Sequence, residues 1–280
     1  MKITFWGTRG SIPAPGPHTV RTGGNTTCLE VSTKGGVRIV VDAGTGIRAL
    51  GLTLVKEEHP DPITLLLTHS HWDHLMGFPF FVPAYLPRFR IHVRGGPIAK
   101  ETVRKYLGRQ MEPPYFPVSF AAMKAEFDFT HGIPMVREIA SATLTPIPLS
   151  HPNGGYGFRL EEAGKSLVFL TDNELGFQHE GSRTFPEYVD FCEGADLLVH
   201  DAQYTVKEYE THGEWGHSTY NAAVDLAIRA GVRRLALSHH DPDHTDGDVD
   251  RIQEVARELA RRRNSPLECF AAAEGLSIAL

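Results

Sequence analysis

A layered α/β fold, with sheets inside and helices outside, is the class this sequence predicts for one domain spanning residues 1–280. Strand-like apolar runs and helix-periodic segments occur in both halves of the chain, and no low-complexity linker or fixed-period repeat divides it. In addition, "ITLLLT" (63–68) is a continuous apolar run, the signature of a strand buried on both faces.

In chain order, "KITFWG" reads as a strand and is followed by the Gly/Pro-rich loop "GTRGSIPAPGPHTVRTGGNT". "CLEVST" and "VRIVVDAG", joined at Lys34-Gly35-Gly36, read as a hairpin. "TGIRALGLTLVKEE" has helical spacing with Thr45 as its N-cap. "HLMGFPFFVPAYL" begins like a helix that Pro79 and Pro83 limit. "RIHVRG" follows as a strand, "IAKETVRKYLG" as a helix and "RQMEPPYFPVSF" as a loop. The strands "TLTPIPLSH", "GYGFRLEE", "KSLVFLTD" and "ADLLVHDA" come next. The helices "TYNAAVDLAIRAG" and "DVDRIQEVARELARRR" flank the strand "RRLALSHH", and "LECFAAAEG" reads as a further helix.

Composition excludes several classes. Apolar residues make up 41% and charged residues 22%, ordinary values for a globular protein with a sizeable core. No apolar run approaches the ~18 residues of a membrane span, and the apolar start "ITFW" breaks at Gly7, too early for a signal peptide. Cys28, Cys192 and Cys269 are far apart, which fits a reducing compartment, and the cytoplasm is the expected location. A net charge of −6 gives no footprint for long nucleic acid. Arg261 to Arg263 lie among acidic neighbours and read as a solvated helix face.

The chemistry gathers in "LLLTHSHWDH" (65–74). Imidazole and carboxylate are costly to bury without partners. In extended chain, residues two apart point the same way, so His69 and His71 can face one ion. Asp73 and His74, beyond the turn, face a second point nearby. The plain alternative is a set of surface histidines in a loop. By chance H-x-H-x-D-H arises in about one such chain in five hundred, and the preceding apolar strand favours the metal. Imidazole and carboxylate donors without thiolate suit zinc, manganese or iron.

Further candidate ligands stand where later apolar runs end: His151, Asp172, His200, Asp201, His239 and His240. Any one alone is an ordinary core-edge residue. Together they suggest one rim to which several strands deliver polar groups, and two ions need about six to eight ligands.

"THSHWDH" resembles the signature of the metallo-β-lactamase superfamily, and the family's later motifs follow in order over nearly the whole chain. The likeness is strongest to its phosphodiesterase branch, which includes ribonuclease Z and a cyclic-phosphate phosphodiesterase. It is carried by "GTRGSIPAPG…RTGGNT", "SHPNGGYGFRL", "FLTDNE", "VHDAQYT", "GHST" and "LALSHHD". The resemblance implies a four-layer αββα sandwich with the site at one edge of the two sheets. It assigns His69, His71 and His151 to one metal, and Asp73, His74 and His239 to the other, with Asp172 bridging. His239 is chosen over His240 because it directly follows "LALS". Asp73, His217 and Asp201 are the residues it implicates in catalysis, His217 as a non-ligand beside the metals with Asp201 orienting it. Asp201 stands where the ribonucleases carry glutamate. A homodimer is also implied.

The expected activity is hydrolysis of a small phosphodiester, such as a cyclic nucleotide, by a metal-bound hydroxide between two divalent ions, zinc first and manganese or iron as alternatives. Ribonuclease Z resemblance carries an RNA-gripping arm between the third histidine and the bridging aspartate. Only "PNGGYGFRLEEAGKSLVFLT" stands there in this chain. Lactonase, thioesterase, arylsulfatase and β-lactamase chemistry on the same scaffold is the alternative, and β-lactamases use a cysteine ligand that no residue here supplies. A nucleotide-binding sensor without turnover is the non-enzymatic alternative. Tyr115 and Phe116 are candidates to stack on a base or aryl group and Arg109 to meet a phosphate, against a packing or dimer-contact role for the same loop.

Overall fold

The computed structural model describes residues 1–95, 103–129, 137–139 and 141–280. The chain lays down β1 (Lys2–Gly7), β2 (Cys28–Ser32), β3 (Arg38–Val41), β4 (Ile63–Leu67), β5 (Arg90–Gly95) and β6 (Glu126–Phe129) as one sheet. A second sheet follows from β7 (Arg137–Ile139), β8 (Ala142–Pro148), β9 (Tyr156–Glu162), β10 (Lys165–Leu170), β11 (Leu197–Asp201), β12 (Arg234–Ser238) and β13 (Glu268–Ala271). The last strand, β14 (Ser277–Ala279), returns to the first sheet and pairs antiparallel with β1.

Each sheet changes direction halfway. β1, β2 and β3 are antiparallel neighbours, whereas β3 to β6 run parallel. β7 to β10 are likewise antiparallel and β10 to β13 parallel. Parallel strands need both faces covered. Ile63, Leu65 and Leu67 of β4 accordingly pack among Ile47, Leu50, Leu54 and Phe78 on the outer side. Leu66 points the other way, into a core shared by the two sheets with Val41, Phe158, Phe169 and Val199. On the far side of the second sheet, α3 (Phe185–Cys192), α5 (Tyr220–Arg229) and α6 (Asp246–Arg262) bury Cys192, Ala223, Leu226, Ile252 and Ala256, and the short α4 (Val206–His212) lies between β11 and α5 in the chain. The order is helices, sheet, sheet, helices, the αββα layering implied by the resemblance.

The hairpin at Lys34–Gly36 and the strands from β8 to β12 form where the sequence predicts them. Three local expectations change, and a fourth is seen only in part. "LECFAAAEG" contributes a strand, because pairing of Leu235 with Cys269 and Ala236 with Phe270 outweighs alanine's helix propensity. Thr45 does not cap α1 (Ile47–Leu54); its hydroxyl accepts from the Thr26 amide, and Gly46 is the N-cap. "HLMGFPFFVPAYL" forms two short 3₁₀ turns, Phe78–Phe80 and Val82–Tyr85, rather than an α-helix, both with proline in the first turn. The helix expected over "IAKETVRKYLG" is described from Val103 to Arg109, as α2, and its first five residues lie outside the described residues. The arginines at 261–263 pair with Glu258 and Asp225, as a solvated face does. No described helix is long and apolar enough to cross a membrane.

Leu66 is the residue that couples the two sheets at the strand bearing the histidines. Leu66→Ala should destabilise the fold by ~2–5 kcal/mol in equilibrium urea unfolding, the range for a buried leucine whose neighbours cannot collapse onto the void. A loss below ~0.5 kcal/mol, the range of an ordinary surface substitution, would show that the inter-sheet core does not close there.

Candidate metal centre

Ligands of open α/β sheets bind beyond the carboxyl ends of parallel strands. β4, β10, β11 and β12 end at one rim, and each delivers polar groups there. His69 follows β4, Asp172 follows β10, Asp201 ends β11 and His239 follows β12. The turn Trp72–His74 then swings Asp73 and His74 back over the same point. His151 arrives from the end of β8.

Two groups of donors share Asp172 among the described residues, His69, His71, His151 and Asp172, and Asp73, His74, Asp172 and His239, and a third, Asp201, His217 and His239, lies beside them. Within each group the ligand atoms lie within 4.8 Å of one another. Asp172 belongs to both because its two oxygens diverge. Oδ2 lies 3.6 Å from His69 Nε2 and 3.8 Å from His151 Nε2. Oδ1 lies 3.2 Å from both His74 Nε2 and His239 Nε2. Asp73 Oδ2 stands 3.2 Å from His74 Nε2 and 3.4 Å from His239 Nε2. Asp172 (φ 50°) and His239 (φ 59°) adopt the left-handed backbone region that side chains other than glycine seldom enter.

The outer nitrogen of four imidazoles is fixed from a different part of the chain. His74 Nδ1 is 2.7 Å from Asp42 Oδ2, and His69 Nδ1 is 3.0 Å from the Thr68 hydroxyl. His151 Nδ1 donates to the Gly216 carbonyl at 2.9 Å, and His239 Nδ1 to Gln203 Oε1 at 2.9 Å. Such bonds set the tautomer and aim Nε2 inward. Space is reserved for these rings. A Cβ on Gly10 would come within 2.3 Å of His239 Nδ1, and one on Gly216 within 2.0 Å of His151 Nδ1.

His69 Nε2, His74 Nε2 and His239 Nε2 are buried without a hydrogen-bond partner. Buried polar atoms are normally satisfied. Three unpartnered imidazole nitrogens converging on two carboxylates are what a divalent cation would satisfy, so this donor set fits a metal. The electrostatics agree. Burial pushes His69 well down and His151 to about 4, favouring the neutral imidazoles that bind metals. Burial opposes charge on Asp73 and Asp172, yet the surrounding histidines hold both carboxyls well below the usual range. His74 runs the other way: burial opposes its charge, but Asp172, Asp73 and Asp42 hold it well above an ordinary histidine, so a cation bound there would have to displace its Nε2 proton.

His217 lies beside this group, its ring stacked on His239 at 4.9 Å and tilted against His151 at 5.3 Å. Its Nδ1 is 2.9 Å from Asp201 Oδ2. Burial works against a proton here, but Asp201, with help from Asp172 and Asp73, pushes the imidazole up to about 9. Ser218 and Thr219 divide the work that the sequence leaves open between them. Thr219 caps α5 by accepting from the Ala222 amide, while Ser218 bonds Asn173 O and the Leu175 amide.

The four-layer fold, the complete donor set and the "THSHWDH" motif leave little freedom, and a sequence model described as a beta-lactamase superfamily domain matches residues 37–240. The chain belongs to that superfamily. It is a phosphodiesterase-like, metal-dependent hydrolase with the metallo-β-lactamase fold. A ribonuclease Z of Exiguobacterium sibiricum is 36% identical over 240 residues, which is 70% of this chain and 76% of that one. Among solved structures, a diphosphatase of the PhnP family has a TM-score of 0.66 at 19% identity, covering 100% of this chain and 97% of its own. Zinc-bound PqqB from Methylobacterium extorquens has a TM-score of 0.69 at 16% identity, with 100% of both chains covered.

All seven predicted superfamily ligands converge, and two other histidines do not. His200 bonds the Asp201 carbonyl and His240 the Ala272 carbonyl, both buried away from the donor groups. Asp42 and Gln203 escape the sequence analysis. Asp42, at the end of "VVD", follows the same strand-end pattern as the others and was legible in principle. Gln203 carries no such signal. Phe116 packs edge-on against Phe80 at 5.5 Å, while Tyr115 is exposed. The N-terminal loop reaches the site too: the Ser11 amide donates to Asp73 Oδ2 at 2.9 Å. That loop is held by Arg9, fully buried, whose guanidinium donates to the Gly23, Asp241 and His244 carbonyls and to the Thr22 hydroxyl.

Proposed function

We propose that this chain is a two-cation phosphodiesterase for small diesters, with a cyclic nucleotide as the model substrate and zinc as the resident metal. The observation that carries two cations rather than one is the divergence of the Asp172 oxygens toward separate histidine groups. His69, His71 and His151 would hold one ion, and Asp73, His74 and His239 the other, with Asp172 shared. Divalent cations bound there would polarise a phosphoryl oxygen and acidify bound water.

The chain's own groups do the rest. Asp73 and Asp172 stay ionised, and Ser11's amide keeps Asp73 in place. Asp201 accepts from His217 Nδ1 and leaves Nε2 as the atom that can donate to a phosphoryl oxygen or to the departing alkoxide. Asp201 is itself held by the Gln203 and Ser218 amides, so its position does not depend on His217.

The preference for small diesters is supported by what separates His151 from Asp172. β9, the turn at Ala163 and Gly164, and β10 fill most of that interval, with no inserted arm. The net charge of −6 works against a phosphate-rich partner. Against this stands the relative named ribonuclease Z, whose name specifies RNA. The two substrates therefore have to be compared directly.

Metal analysis after zinc loading should find about two ions per chain, and Asp172→Ala should weaken both. One tight ion under saturating zinc would sink the two-cation assignment.

In parallel assays, cyclic nucleotides or a bis-aryl phosphodiester should be cleaved and precursor tRNA left largely intact. Efficient tRNA cleavage with neither small diester touched would reverse the substrate assignment.

His217→Ala should keep its metal while kcat falls by ~10²–10³ with little change in KM, the size of effect seen when one transition-state donor is removed. Asp201→Ala should show a milder form. Loss of metal from His217→Ala would make His217 a ligand instead.

A further inference from the structure

Glu174 has no part in the donor groups, yet its side chain is fully buried at 1% exposure. Four donors surround its carboxylate. Oε1 accepts from the Tyr209 hydroxyl at 2.5 Å and the Glu214 amide at 2.7 Å. Oε2 accepts from the Gly216 amide at 2.7 Å and lies 2.9 Å from His179 Nε2. Its own amide donates to the Ser150 carbonyl, next to His151. Glu174 thus links the β8 exit, through its amide, to the loop 213–217, through its carboxylate.

That loop has an unusual shape. Glu214 (φ 67°) and Gly216 (φ 95°) both lie in the left-handed region, and the amides of these two residues are the ones Glu174 holds. Gly216 then presents its carbonyl to His151 Nδ1, and the next residue is His217. The loop therefore orients one member of the donor set and carries the histidine stacked on another.

We infer that Glu174 is a positioning residue: it shapes the 213–217 loop so that Gly216 aims His151 and His217 sits against His239. Its chemistry is specific to a carboxylate. A backbone N–H can only donate, and one such group faces each oxygen. Glutamine offers a single acceptor oxygen. Whichever way its amide is turned, the NH₂ group meets a backbone N–H. A shape-conserving substitution therefore breaks one of the two loop contacts.

This inference rests in part on the two-cation reading, so its test includes a metal-free measurement. Glu174→Gln and Tyr209→Phe would be compared with the unaltered chain by zinc competition, by the visible spectrum of the cobalt-loaded protein, by kinetics and by imidazole N–H resonances without metal. Glu174→Gln should fold, lose ~10–100-fold in affinity for one of the ions, the range for orienting partners of ligands, and shift the cobalt spectrum. Its kcat should fall by a similar factor with KM moving less, and the His151 N–H resonance should move even without metal. Tyr209→Phe removes one side-chain donor and keeps both backbone contacts, so every change should be smaller. Unaltered cobalt spectrum, zinc affinity and His151 resonance in Glu174→Gln would overturn the inference, as would equal losses in both variants. If Glu174→Gln does not fold, Tyr209→Phe decides: a small shift of the His151 resonance supports the role and none overturns it. Failure of the unaltered chain to bind two ions would overturn the proposed function, leaving the metal-free resonance to judge Glu174.

Discussion

The divided reach of Asp172 is the constraint on which the site depends. One carboxylate at the end of β10 serves two groups of imidazoles, and it can do so only if the histidines of both groups are brought to it from opposite sheets. His69, His71 and His74 come from the first sheet; His151 and His239 come from the second. The inter-sheet core is therefore what sets the spacing of the donors. Close packing of that core leaves the two rims little freedom to drift apart.

A crowd of imidazoles and carboxylates opposes its own assembly. Burial disfavours charge on His69, His74 and Asp172, and the histidines repel one another when protonated. The fold answers with hydrogen bonds from outside the crowd. Asp42, Thr68, Gln203 and the Gly216 carbonyl each take one ring nitrogen, so each imidazole is held by its outer edge while its inner edge stays available. These partners come from β3's end, β4's end, the segment after β11 and the loop before α5, so the site is supported by most of the rim.

Much of this was legible because the candidate ligands occupy one repeated position, just past an apolar strand. "LLLTHSHWDH" states it most densely, and His151, Asp172 and His239 repeat it singly. The fold class followed from the buried run of β4 and the alternation of strands with helices. What stayed hidden depends on pairing across long sequence distances. Glu268 to Ala271 has alanine-rich neighbours, and only its place beside β12 makes it a strand. Thr45 carries the side chain of a helix cap but spends its hydroxyl on Thr26, a partner no local pattern reveals. The sequence separates His239 from His240 only through the family's pattern after "LALS", not through a physical cause. The left-handed backbone at His239, which turns one inward and the other toward Ala272, appears only in three dimensions.

Arg9 gives the order in which such a protein can mature. Its guanidinium binds carbonyls at Gly23 and, some 232 and 235 positions away, at Asp241 and His244. The loop it secures contributes the Ser11 amide to Asp73, so one edge of the donor cluster is finished only when the late segment has been made and has folded back. A ribosome delivers the histidines of the first sheet long before that segment emerges. Until then Asp73 lacks that anchor, and the edge of the donor cluster closes only once Asp241 to His244 are in place.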